Sequence, residues 1–221
     1  MNKNKSTVLR HTKKEILIHW LVAISGIVLI ISGFGEMPMY KRYNVTKIPF
    51  LQFLGSYEIN LIIHYIFASI FVFAVFYHIV YHWRKKEFAL LPKKGDFKES
   101  IHVLKAIIKG EKEPPHHKFL AEQRLAYVAI GTVSLVLIFT GLIKTYKNIG
   151  PIVINPDFLM FITLLHTIST MFFIFLFIMH IGAFIVKDNR ELLKSMFTGY
   201  VRYDYAKRRH PKWLEEIESQ N

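Results

Sequence analysis

Four stretches of the chain are almost free of charge for about twenty residues or more, and polar residues collect in the segments between them. The stretches are 16–34, 59–83, 125–143 and 158–186. Each is long enough to cross a bilayer as a helix, which takes about 20 apolar residues. Little chain is left for anything else. The pattern predicts an all-α integral membrane protein: one four-transmembrane-helix bundle over residues 1–221, with a polar tail at 187–221. The N-terminal basic residues followed by an apolar run imitate a signal peptide. The run is of full spanning length and no A-x-A-like site follows, so it is expected to stay as the first span.

The connecting segments predict smaller features. Residues 1–15 are polar and expected to be frayed. Residues 35–57 form a loop with Pro38 and Pro49, and its aromatic residues Tyr40, Tyr43, Phe50, Phe53 and Tyr57 suit a membrane interface. The second span stops at Arg84-Lys85-Lys86. In residues 97–109, Phe97, Ile101, Leu104, Ile107 and Ile108 recur at helical spacing among lysines. This is the pattern of an amphipathic helix on a membrane surface or against a partner. Glu113-Pro114-Pro115 ends it, and Gly150-Pro151 with Asn155-Pro156 marks a short third loop. Residues 197–213 mix aromatic and basic side chains, as a docking tail would.

Charge orients the bundle. The formal charge is +13, which in a soluble protein would suggest nucleic acid. Here 24 of the 29 lysines and arginines lie before the first span, between the second and third, and after the fourth, and five lie in the other two loops. That is the positive-inside asymmetry, and it places both termini in the cytoplasm. Nucleic acid is not an expected partner; membrane lipid is. The chain has no cysteine. Disulfides, cysteine-ligated iron–sulfur clusters and covalently attached haem are therefore excluded, and a redox group would need histidine ligands.

Eleven histidines remain, six of them in or at the ends of the spans. Ionisable residues inside a membrane are costly and mark function. His64 and His166 lie about 10–12 Å in from the outer ends of the second and fourth spans, at 1.5 Å per residue. His19, His78 and His180 lie at similar depth from the inner ends, and His82 sits at the cytoplasmic boundary, where it reads as an interfacial polar residue. Two layers of imidazoles on different helices, about 20 Å apart, suit two haem b groups, each iron bound from two helices. His64 with His166 would form the outer pair. His180 would be one inner ligand, with His19 or His78 as the other. Gly26 and Gly33 follow His19 at heptad intervals, which favours His19. A proton or ion path is the competing chemistry, but the middles of the spans contain no acidic residue. His116 and His117 lie in a cytoplasmic loop and are expected to be solvated.

Several of these residues carry a family resemblance: His19-Trp20, His64, the run Lys118-Phe119-Leu120-Ala121-Glu122-Gln123-Arg124, and His166 and His180. So do Ser195-Met196-Phe197-Thr198-Gly199 and the tail from Tyr205 to Trp213. Over nearly its whole length the chain resembles the cytochrome b (gamma) subunits of membrane-bound formate dehydrogenases, within the wider dihaem group that also serves nickel–iron hydrogenases. The resemblance implies that His64 with His166, and His19 with His180, bind two haem irons. It further implies a quinone site (menaquinone or ubiquinone) on the cytoplasmic side, near the start of the third span. Glu122, Gln123, Arg124 and His82 supply polar groups there, while Leu120 and Glu122 stand where the family has Asn and Gly. His78 is an addition to the simplest pattern. The implied role is a membrane anchor in a prokaryotic cytoplasmic membrane. It would carry electrons from an iron–sulfur subunit to quinone, while a catalytic dehydrogenase or hydrogenase subunit oxidises the substrate. A homo-oligomeric complex is compatible with that role. A hydrogenase anchor and a stand-alone cytochrome b561-like quinone oxidoreductase are the alternatives.

Overall fold

The computed structural model describes residues 6–37, 39–111 and 114–219, without the side chains of residues 107 and 108. Pro38, Glu113, residues 1–5 of the N-terminal segment, residues 220–221 of the tail and the apolar side chains at 107 and 108 thus lie outside the described residues. The described structure is helical apart from one two-stranded sheet. Four helices among the described residues are long and apolar enough to cross a membrane: α1 (Lys13–Glu36), α3 (Tyr57–Lys85), α5 (Ala121–Ile149) and α6 (Pro156–Gly182). Most extend past the expected limits because the polar residues at their ends keep helical hydrogen bonding. The last span instead leaves the α-helix at Gly182 and continues as a 3₁₀ turn, Ala183–Ile185.

The chain divides into two compact units, Lys14–Lys85 and a second built from both ends, Met1–Lys13 with Lys86–Asn221. In the first, α1 and α3 are joined by α2 (Met39–Arg42) and two 3₁₀ turns, Val45–Lys47 and Gln52–Gly55. The two long helices approach each other beside this loop. Asn60 is fully buried there, and its amide donates to Leu54 O at 2.9 Å and Ser56 O at 2.7 Å. A Cβ on Gly35 would fall 2.2 Å from the Asn60 side chain, so only glycine allows this approach.

In the second unit α5 packs along α6. Asn155 caps α6, its Oδ1 accepting from the backbone N–H groups of Asp157 and Phe158, and Pro156 takes the first helical position, where its missing N–H costs nothing. The amphipathic helix α4 (Asp96–Lys109) forms as the spacing predicts. Asp96, Ser100, Val103 and Ala106 are buried, and Phe97, Ile101 and Leu104 are exposed. One stripe thus packs within the unit, against α5, and the neighbouring apolar stripe stays uncovered.

The N-terminal segment and the tail differ from expectation. Residues 7–9 are not frayed. They form β1 (Thr7–Leu9), antiparallel to β2 (Tyr200–Arg202), with Val8 opposite Val201. The tail likewise folds on its own chain, through α7 (Arg190–Thr198), α8 (Tyr203–Arg209) and α9 (Pro211–Ser219). Val201, Tyr205, Ala206, Trp213 and Leu214 form a small core, with Val8 packed against it. Gly199, at φ 84°, ends α7 in the left-handed conformation that glycine tolerates best. Arg10 is buried with its guanidinium over the rings of Phe119 and Trp213. Tyr205, Arg209 and Trp213 of the tail thus pack inside the chain, while Phe197, Tyr200, Arg202, Lys207, Arg208 and Lys212 stay exposed. His116 is also buried, not solvated, at 1% exposure: its backbone N–H donates to Arg209 O and its ring stands beside that of His210.

Candidate functional site

In the first unit His64 lies near the start of α3, facing the last turns of α1. Its Nδ1 is 2.9 Å from Ser32 Oγ. The same hydroxyl is 2.8 Å from Val28 O, a group that can only accept. The Ser32 proton is therefore committed to the backbone, as is usual for a serine inside a helix. The oxygen is then placed to accept from an Nδ1–H of His64. The Glu36 carboxylate stands 3.5 Å from the same Nδ1 and favours the same tautomer. Gly33 leaves α1 bare at this point; a Cβ there would lie 3.5 Å from His64 Cε1.

The second unit repeats the arrangement on different helices. His166 Nδ1 is 2.7 Å from Thr140 Oγ1, and that hydroxyl donates to Val136 O at 2.7 Å. The Thr140 oxygen is likewise placed to accept from an Nδ1–H of His166. Gly141 follows Thr140, and a Cβ on it would lie 3.5 Å from His166 Cε1. A hydroxyl–glycine pair on one helix thus faces a histidine on the next, in both units. In each case a second histidine follows fourteen residues later, His78 after His64 and His180 after His166, about 21 Å further along the helix.

The other expected site residues are placed as follows. His19 is half-buried on α1 with Trp20 edge-on to it. His78 and His82 lie one turn apart on α3 with ring centroids 4.5 Å apart. His180 is exposed near the end of α6, beside Phe184. Glu122, Gln123 and Arg124 share the first turn of α5, and two of the three have structural duties. Gln123 Oε1 accepts from the Leu120 backbone N–H at 3.2 Å. Buried Arg124 grips buried Asp96 with two hydrogen bonds of 2.7 and 2.5 Å and donates a third to Phe119 O. The Arg124 guanidinium holds the Asp96 carboxyl below the usual carboxylate range. Glu122 is half-buried.

Sequence reasoning missed Ser32, Glu36, Thr140, Gly141 and Asp96. Ser32, Thr140 and Gly141 had a signal, the dipeptides Ser32-Gly33 and Thr140-Gly141 late in the first and third spans; Glu36 carried none. Asp96 had none, because an acidic residue at a helix start is ordinarily a solvated first-turn carboxylate.

Haem iron takes neutral imidazoles whose other nitrogen donates to an orienting group. The hydroxyl contacts at Nδ1 of His64 and His166 suit that arrangement, and the glycines beside them keep the neighbouring helix surfaces clear. The donor set fits the group.

Comparison with known proteins agrees. The chain is 24% identical over 217 residues to the formate dehydrogenase cytochrome b556(fdo) subunit of Escherichia coli, covering 97% of this chain and 95% of that one. It is 26% identical over 226 residues to the nitrate-inducible formate dehydrogenase cytochrome b556(Fdn) subunits of Escherichia coli and Shigella flexneri, covering 97% and 94%. The family model for prokaryotic cytochrome b561 matches residues 10–199. With four membrane-length helices and a haem-type histidine set, the chain belongs to the prokaryotic cytochrome b561 family.

Proposed function

We propose that this protein is the membrane-anchoring dihaem cytochrome b subunit of a respiratory complex of the formate dehydrogenase type, carrying electrons from an iron–sulfur partner to quinone. The observation that supports it best is the paired presentation of His64 and His166, each with its Nδ1 in hydrogen-bond contact with a hydroxyl of the preceding long helix. These two residues would hold one haem b, and His19 with His180 a second. The depth of His19 and His180 along their helices, and the family resemblance, support the second pair. Haem b, when bound, supplies a one-electron iron couple at each level of the membrane. A formate dehydrogenase-type partner is the reading that the relatives' names support, since they are subunits of formate dehydrogenases.

Quinone would bind near the first turn of α5, with His82 as a further polar group. Glu122, a half-buried carboxylate in that turn, is the candidate there for proton handling. The lysine and arginine asymmetry supports a prokaryotic inner membrane orientation with both termini in the cytoplasm.

Single substitutions His64→Ala and His166→Ala test the ligand assignment. Each should remove the same one of two b-type haems, halving the reduced-minus-oxidised absorbance per chain. Full haem content in both variants would overturn the assignment.

A further inference from the structure

The repeated hydroxyl–histidine contact carries an inference of its own. Ser32 and Thr140 sit on different helices in separately packed units, yet each makes the same pair of interactions. One is an O–H donated to the carbonyl four residues back. The other is a hydrogen-bond contact with the Nδ1 of a histidine on the next long helix, where the oxygen is placed to accept. A glycine follows each hydroxyl, with the imidazole as its near neighbour. Chance packing gives no reason for the same donor–acceptor order twice.

We propose that Ser32 and Thr140 are positioning residues that lock the His64 and His166 tautomers, set their ring orientation and raise their strength as iron ligands. The proposal rests on the reading that His64 and His166 bind haem. Its physical basis is general: an imidazole that donates from Nδ1 is pushed toward imidazolate character, binds iron more firmly and favours the oxidised metal. Ring orientation is fixed at the same time, since the Nδ1–O line leaves one azimuth for the ring.

His64 Nδ1 has a second acceptor within reach, the Glu36 carboxylate at 3.5 Å. Loss of the Ser32 hydroxyl should therefore be buffered until Glu36 is changed as well.

The test uses the purified complex carrying Thr140→Val, Thr140→Ser, Ser32→Ala, and Ser32→Ala with Glu36→Gln. Readouts are haem retained per chain, the midpoint potential of each haem, and the low-spin ferric electron paramagnetic resonance signal. Thr140→Val should move one haem to more positive potential and alter its signal, with haem retention weakened roughly tenfold or more, a typical effect for an outer-shell partner. Thr140→Ser should restore both values. Ser32→Ala should shift the same haem in the same direction, and the double variant should shift it further. Unchanged potentials and signals in Thr140→Val and in the double variant would overturn the proposal. His64→Ala and His166→Ala separate this outcome from failure of the ligand reading: if they lose haem while the hydroxyl variants are silent, only the positioning role falls. If they keep it, the ligand assignment falls and the proposal with it.

Discussion

Asp96 and Arg124 are the strongest charged pair in the described structure, both nearly inaccessible and bidentate. Removing one partner of such a pair strands a buried charge, which costs about 3–5 kcal/mol. Asp96→Asn should lower the thermal unfolding temperature of the second unit and expose α4 to protease; an unchanged transition would contradict the role given to this pair. The folded state lowers the Asp96 pKa, mainly through the Arg124 hydrogen bond, so the stabilisation is present at neutral pH and lost only as pH falls below the usual carboxylate range. His210 titrates with a different window. Burial, with Arg10 nearby, pushes its pKa down to about 3 from 6.5, while its Nδ1–H donates to His117 O. The unfolded chain would take up a proton near 6.5 that the folded tail refuses, so the tail should lose stability as pH drops from 6.5 toward 3. Hydrogen exchange of residues 200–214 at pH 7 and pH 5 checks this. Faster exchange is expected at pH 5 after correction for intrinsic rates, and equal protection would contradict it. Neither group was legible in the sequence. Asp96 looked like a solvated first-turn carboxylate, and His210 sits in a run of basic residues that reads as surface.

At the scale of elements, the long helices were plain because twenty apolar residues in a row have few alternatives. Helix α4 was plain too, but its buried stripe was not. Periodicity marked Phe97, Ile101 and Leu104, which are exposed, whereas the residues that pack are the smaller Ser100, Val103 and Ala106 with Asp96. The β1–β2 pair was invisible, since three residues carry no detectable alternation and its partner lies nearly two hundred residues away. Close packing at Gly35 gives the element-scale prediction. Gly35→Val should drive apart the loop-side ends of α1 and α3 by clashing with Asn60, at a cost of about 1–3 kcal/mol or more for an overpacked site. Thermal unfolding should shift downward, and a wild-type transition would refute the contact. The tail core should respond to Trp213→Ala by about 3–5 kcal/mol, the usual range for deleting a buried indole, read as early proteolysis within residues 190–219.

At the scale of the whole molecule, the fourteen-residue interval from His64 to His78 and from His166 to His180 returns nearly to the same helix face. The hydroxyls beside His64 and His166 leave only the faint signal of a following glycine, since serine and threonine inside an apolar helix ordinarily bond only their own backbone. Charge asymmetry is the ground for the proposed orientation, and reporter fusions after residues 50, 95 and 219 test it. Activity confined to the cytoplasmic side is expected for the last two and to the opposite side for the first; any other order would invert the assignment. The electron-carrying role rests on imidazoles holding two iron porphyrins in one chain. The most direct measurement is the haem content of the purified wild-type protein by pyridine haemochrome assay against protein mass. Two haem b per chain are predicted; a colourless protein, or a single haem, would contradict the account.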